Sequence, residues 1–313
     1  MKKNNYNTGT RDLGKAGNFL LKNALENKYI SYLAYGSYLT RWNNFVKFCI
    51  SYDVKKMEEI DQNFVVKYAN HLSQKVENDE FKINTAKNYL SAVNVVMDLA
   101  TLGKWQSVYP KSCDMQKRSF IRTTIPPCLD YVHFMYLVDY LEKCNLNKIA
   151  CIILLARMFG LRTKESSLLN AHQALSQAYN ANRIKISKGT KNGQLRYVPI
   201  LSQYQIDVLK KVSKIQGKNI CIIPAEQNWI TWCNNQLKIG REHIKSLGIP
   251  KYHDLRATYA CLRYSQLTNH PAPVVTRGKT VKRKLDNAAR TAIAEELGHH
   301  RTEILASYIG GRR

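Results

Sequence analysis

Two arginines, two histidines, two lysines and a tyrosine stand out in the second half of the sequence. Arg162 lies in FGLRTKESSLLN, directly after an apolar run and before Thr163, a residue suited to start a helix. Lys188 and Lys191 lie in SKGTKNGQLRYVPI, which has the pattern of a basic β-hairpin. His253 and Arg256 lie in YHDLRATYACLRY, three residues apart and so on one face of a helix. His299 lies in ELGHHRTEILASYIGG, nine residues before Tyr308. Paired guanidiniums grip the oxygens of an anion bidentately, which lysine does not imitate. Imidazoles carry protons near neutral pH. A phenol, with a pKa of about 10, becomes a useful nucleophile only beside a base and within a site that stabilises anions.

Each residue alone has an ordinary reading. Arg162 could simply end a helix, His253 and Arg256 could be a surface pair, and the lysines could be solvated hairpin residues. Tyr308 is one of 19 tyrosines. The charge of the chain changes the weighting. Lys and Arg total 48 against 23 Asp and Glu, a net +25. Such a charge opposes compaction unless a polyanion screens it, and nucleic acid is the obvious one. A ribosome-associated or RNA-binding protein is the competing explanation of the charge.

Taken together and in order, the motifs resemble those of the tyrosine recombinases, or phage integrases. That family shows an Arg in G-L-R-x-x-E, a Lys on a hairpin, H-x-L-R, L-G-H, and a Tyr nine residues later. The matching residues here are Gly160-Leu161-Arg162 with Glu165, then Lys188, His253-Asp254-Leu255-Arg256, Leu297-Gly298-His299, and Tyr308. The interval from Arg162 to His253, 253 − 162 = 91 residues, suits the family. The detailed match covers residues 130–310. The ending YIGGRR, with ELGHH before it, is similar to an integrase subgroup of proteobacterial prophages and integrative elements. Only five residues follow Tyr308, where many relatives carry a tail helix that packs on a neighbouring subunit.

The resemblance implies a site-specific recombinase that cuts and rejoins DNA through a 3′-phosphotyrosine intermediate, without metal or cofactor. Tyr308 would attack the phosphodiester, and His253 would act as general base. Arg162 and Arg256 would clamp the non-bridging oxygens. Lys188 would protonate the leaving 5′-hydroxyl, with Lys191 as the second choice because the turn is longer than usual. His299 would bond the phosphate or position Tyr308. The implied partners are double-stranded DNA, further copies of the chain forming a tetramer at synapsis, and an accessory DNA-bending protein. Two related alternatives are a catalytically silent DNA-binding protein of the same fold and a type IB topoisomerase-like strand transferase.

The elements that must position these residues are mainly α, with a small β-hairpin. Residues 1–19 read as a basic arm. Residues 20–105 read as an all-helical domain, 106–127 as a linker holding the basic run KRSFIR, and 128–313 as an α+β domain; the resemblance makes the first the core-binding, SAM-like domain and the last the catalytic domain. In the first domain Leu39, Trp42, Val46 and Cys49 fall at helical spacing. Asp61 is placed to cap a second helix, with Val65, Ala69, Leu72 and Val76 on one face. Thr85 is placed to cap a third helix, with Gly103 stopping it. Helices are expected over 129–143 and 147–159, then a hairpin turning at Asn192-Gly193. Arg41 and Lys87, on polar helix faces, are candidate DNA contacts. So are Lys282 and Arg283, within the basic stretch 272–290, which reads as a solvated loop near the cleavage site. That stretch carries six Lys or Arg and a single acid, Asp286.

Several function classes find no support. The eight cysteines form no C-x-x-C pair, so zinc-ribbon spacing is absent. They read as reduced thiols, which points to a cytoplasmic compartment; a nucleoid-associated bacterial setting is what the resemblance implies. His299 and His300 are adjacent, about 100° apart on a helix, and make a poor chelate; His300 reads as solvent-facing. There is no Walker loop, no secretion signal and no apolar run long enough to span a bilayer.

Overall fold

The computed structural model describes residues 5–110 and 119–312. Two compact units emerge, Met1–Ser119 and Phe120–Arg313. Cys113 and part of KRSFIR lie outside the described residues, as do the first four residues of the expected arm.

The first unit is helical throughout: α1 (Leu13–Glu26), α2 (Tyr32–Ser51), α3 (Gln62–Glu77) and α4 (Ile83–Ala100). Three of the four helices begin at short polar residues whose side chains accept a first-turn N–H. Asp12 accepts from Lys15, Ser31 from Ala34 and Asp61 from Phe64. Thr85 does not cap α4; it lies inside the first turn, and Lys82 occupies the cap position without a side-chain bond. The apolar faces meet in a core of Trp42, Phe45, Leu72, Leu90 and Met97, with Phe45 set edge-on to Tyr68 at 4.8 Å.

Two edges of this unit differ from the sequence expectation. The stretch 1–19 is not simply an arm, because α1 starts at Leu13 and buries Leu13 and Ala16 in the core. The Trp42 indole donates to the Leu13 carbonyl at 2.9 Å. The start of the expected linker is also structured. Val108 is buried, and the Asn94 side chain both accepts its N–H and donates to its carbonyl.

The second unit runs α5 (Tyr131–Lys143), α6 (Asn147–Phe159), α7 (Thr163–Leu168), α8 (Ala171–Ala181), strands β1 (Arg183–Ile186) and β2 (Arg196–Pro199), α9 (Gln203–Gln216), α10 (Trp229–Asn234), α11 (Gln236–Ser246), α12 (Tyr252–Thr268), α13 (Arg283–Leu297) and α14 (Ala306–Ile309). Helix α6 is apolar all round and nearly every residue of it is buried, so it forms the centre of the unit. The two strands pair antiparallel, with Ile184 opposite Val198. Asn192-Gly193 is not a two-residue turn joining them. The connection is the longer loop 187–195, in which Lys191–Gly193 makes a single 3-10 turn.

The basic stretch 272–290 is not one solvated loop. Ala272 and Val274 are buried, and α13 begins at Arg283. Asp286 is buried, bonded by Tyr264 at 2.7 Å and by Arg290 at 3.1 Å. All described cysteines are free thiols, four buried and three half-buried. Among the described residues, no helix is long and apolar enough to cross a membrane.

Candidate active site

Two helix ends build the floor of the site. Helix α6 stops at Gly160, which adopts the left-handed conformation at φ +61°, and α13 stops at Gly298 in the same way at φ +66°. A Cβ at Gly160 would lie 2.6 Å from the Tyr259 ring, so glycine is required there by space as well as by conformation. The turn after Gly160 delivers Arg162, and the turn after Gly298 delivers His299.

Arg256, from the first turns of α12, is buried between these ends. Its terminal nitrogens donate to the carbonyls of Gly160 and Leu297. Both carbonyls sit at helix C-termini, where the backbone dipoles concentrate negative charge and favour a cation. Burial, with Arg162 and Arg196 nearby, lowers the Arg256 pKa to about 10, while Tyr308 and Glu165 act in the opposite sense. The guanidinium therefore stays charged at neutral pH.

Tyr308 stands at the centre. Its hydroxyl accepts from Arg256 Nε at 3.4 Å and lies 3.1 Å from His299 Nε2. The His253 ring packs beside it, with ring centroids 5.0 Å apart. Tyr308 is only 3% exposed. Burial and the cationic neighbours, Arg256 first, lower both histidines to about 4. His253 also keeps an open face to solvent. Both imidazoles are neutral at pH 7 and able to accept a proton.

One carboxylate organises the arginines. Glu165 accepts the backbone N–H of Arg162 at 2.6 Å and its guanidinium at 2.7 Å. It accepts two further bonds from Arg196, at 2.8 and 2.6 Å, and Arg256 lies within 3.8 Å. Burial alone would raise the Glu165 pKa, but pairing with Arg196 and Arg256 holds it down at about 2. Arg196 also donates to the Glu296 carbonyl at 2.8 Å, which joins β2 to α13.

The fold thus brings together Arg162, His253, Arg256, His299 and Tyr308. Lys188 is exposed in the loop after β1. A Cβ on its neighbour Gly189 would come within 2.9 Å of the Lys164 backbone, so the loop lies flat against the start of α7. Lys188 lines a small cleft together with Glu165, whereas Lys191 is exposed further along the loop. Lys282 and Arg283 are exposed at the start of α13. Arg41 and Lys87 are half-buried on α2 and α4 of the other unit. His300 is exposed, with a bond to Gln194. Among the described residues no group of three or more His, Cys, Asp or Glu could hold a metal ion.

Sequence reasoning missed Arg196. A signal existed: in β2 the buried positions are Arg196 and Val198, so strand alternation puts a charge on the inward face. It also missed Arg122, whose guanidinium bonds Asp254 at 2.7 Å. No local pattern announces that pair, because 132 residues separate its members.

Comparison with known proteins agrees with this fold. A family model described as "Integrase" matches residues 137–262, and one described as "Phage integrase SAM-like domain" matches residues 18–112. The first includes Arg162, Lys188, His253 and Arg256 but ends before His299 and Tyr308. A search of curated protein sequences finds no match. Among solved structures, the fold is similar to the XerH site-specific recombinase bound to a palindromic difH substrate. Identity is 15%, coverage 93% of this chain and 80% of that one, and TM-score 0.60. It is similar also to a lambda integrase tetramer bound to a Holliday junction (14%, 94% and 76%, TM-score 0.62). The Tn1549 transposon integrase in complex with circular-intermediate DNA is a third (12%, 93% and 94%, TM-score 0.56). Together these two family models cover more than two thirds of the chain, one in each unit, and the chain belongs to the integrase family of tyrosine recombinases.

Proposed function

We propose that Tyr308 is the nucleophile with which this site-specific recombinase cuts and rejoins DNA. The observation that carries the assignment is the placement of one tyrosine, its hydroxyl against Arg256 and His299 and its ring against His253. Tyr308 Oη attacks the phosphorus while the bond to the 5′-oxygen breaks. The phenolic proton passes to neutral His253, with His299 orienting the hydroxyl. The His253 ring already packs against the Tyr308 ring in the DNA-free chain, and catalytic hydrogen bonds tighten when substrate is bound. Lys188 gives a proton to the departing 5′-oxygen. The product is a 3′-phosphotyrosine, and attack by the 5′-hydroxyl of another strand reverses each transfer.

Arg162 and Arg256 hold the negative charge that gathers on the non-bridging oxygens. Arg162 is the more open, its side chain 23% exposed against 1% for Arg256, and it meets the phosphate first. In the DNA-free chain Tyr308 occupies the Arg256 Nε–H. An entering phosphate oxygen takes that donor and frees the hydroxyl to attack. Preorganised donors of this kind are worth roughly 3 kcal/mol each.

Double-stranded DNA is the substrate and several copies of the chain act together, a reading supported by the DNA-bound assemblies among the similar structures. A tetramer at synapsis and an accessory DNA-bending protein complete it. Lys191, Lys282, Arg283, Arg41 and Lys87 contribute phosphate contacts.

Covalent trapping tests the assignment. Nicked suicide duplexes from the genomic surroundings of the coding sequence are incubated with wild type and Tyr308→Phe, without Mg²⁺. A denaturation-resistant protein–DNA adduct in wild type alone is the expected result. No adduct on any duplex, or an equal yield from Tyr308→Phe, removes Tyr308 from its role. Joining of two sites then separates recombination from topoisomerase-like relaxation.

A further inference from the structure

Helix α14, which carries Tyr308, spans only Ala306–Ile309. A single turn does not sustain itself, because nucleation fixes several residues for one hydrogen bond. Its position must come from tertiary anchors. At its C-terminal end, Val274 N–H donates to the Ile309 carbonyl at 2.7 Å, and Arg290 donates to the Gly310 carbonyl at 3.3 Å. At its N-terminal end the anchor is Arg122, whose backbone N–H donates to the Ala306 carbonyl at 2.8 Å.

The same residue reaches a second part of the site. The Arg122 guanidinium bonds Asp254 at 2.7 Å and the Thr124 carbonyl at 2.7 Å. Asp254 sits in the first turn of α12, directly after His253 and two residues before Arg256. The pair is well shielded, with side chains 12% and 13% exposed. Arg122 therefore joins three things: the segment that leads into the second unit, the turn that holds the nucleophile, and the helix that holds the base and a phosphate clamp. We propose that Arg122 is a positioning residue of the cleavage reaction, setting Tyr308 against His253 and neutralising Asp254. The inference rests on the nucleophile assignment above.

Charge gives it a distinctive signature. The groups around His253 are Asp254 and Arg256 on its own helix, Arg162 before α7, Arg122 on the entering segment, and His299 and Tyr308 opposite. Asp254 favours the protonated imidazole, whereas Arg122, Arg162 and Arg256 oppose it. Removing Arg122 takes away a cation and leaves the carboxylate unpaired. Both changes push His253 toward protonation, so the acid limb of the rate profile moves to higher pH. Displacement of the nucleophile lowers the rate at every pH. A residue that merely stabilises the fold would not move the limb.

The experiment measures the rate of adduct formation against pH on a nicked suicide duplex, with the full chain. For Arg122→Ala we expect a plateau lower by about ten- to a hundredfold and an acid limb raised by about one pH unit. Arg122→Lys should return the limb to its wild-type position. Arg122→Ala combined with Asp254→Asn should return the limb but not the plateau. Arg122→Met, which keeps the volume of the side-chain stem, repeats the test if Arg122→Ala does not fold. An unmoved limb in Arg122→Ala or Arg122→Met, while wild type forms the adduct and Tyr308→Phe does not, overturns this inference alone. No adduct in wild type overturns it together with the nucleophile assignment.

Discussion

The two units bury different things. In the first, the buried side chains among the described residues are apolar apart from Asn5 and Ser73. In the second, Arg157, Glu165, Arg196, Asp254, Arg256, Asp286, Arg290 and Glu296 are all buried. Taking charges out of water costs several kcal/mol per ion unless geometry and hydrogen bonds compensate. A unit built only for stability has no reason to accept that cost, and the first unit avoids it. The second accepts it around Tyr308, where Glu165 and three arginines fix one another. There the cost goes into holding cations ready for an anion before the anion arrives. A second cluster, Asp286 with Arg290 and Tyr264, binds the segment after the tyrosine through the Arg290 bond to Gly310 and the ion pair of Arg312 with Asp286.

The contrast is breakable at Glu165, where the largest effect is expected. Glu165→Ala leaves Arg196 and Arg256 buried without their shared carboxylate and should destabilise the second unit by about 3–5 kcal/mol at neutral pH. Urea denaturation of the full chain reads this, and the transition of the first unit should not move. The sign with pH is fixed. The folded-state pKa of Glu165 is lowered from 4.5 to about 2, so its contribution is present above the unfolded value and fades as pH falls through that window. The difference between wild type and Glu165→Ala should shrink over the same range. An equal loss in both units, or none, would mean that the buried charges do not set them apart.

A smaller effect sharpens the chemical side. Lys188→Ala should slow cleavage by about 10²-fold, the usual range for loss of a general acid. Lys191→Ala should leave the chemical step nearly unchanged and weaken binding, with a lower salt slope. A duplex whose leaving 5′-oxygen is replaced by sulfur, which needs no proton to depart, should rescue Lys188→Ala. Failure of that rescue, or a larger loss for Lys191→Ala, would reassign the proton donor.

The smallest effect belongs to the first unit. Asp61→Ala removes the 2.7 Å bond to the Phe64 N–H and should cost about 1 kcal/mol of stability. Adduct formation below the melting range should be unaffected. A cleavage defect there would show that the helical unit contributes to the chemistry as well as to binding.

Much of this was legible before any coordinates. Apolar spacing marks the helices of both units, Asp61 announces its helix start, and the ordered motifs name five side chains that the fold brings together. The reading failed where local and tertiary signals diverge. Thr85 has the residue type of a cap, yet the helix starts earlier, at Ile83 after the cap residue Lys82, and Ala86 already belongs to its buried face. Asn192-Gly193 has the type of a tight hairpin turn, yet the loop that holds Gly189 against the Lys164 backbone needs more residues. Asp286 looked solvated among basic neighbours, because nothing nearby in sequence reveals Tyr264 or Arg312.

The sequence by itself determined the parts and their order: a cationic chain, helices with buried faces, and Arg162, Lys188, His253, Arg256, His299 and Tyr308 at fixed intervals. These follow from periodicity and residue type, which act over a few residues. Only the tertiary structure decided which charges share a partner. Arg196 meets Glu165 across 31 residues, Arg256 meets the Leu297 carbonyl across 41, and Arg122 meets Asp254 across 132. Electrostatic energy depends on distance in space and on the removal of water, and neither is written in the spacing along the chain.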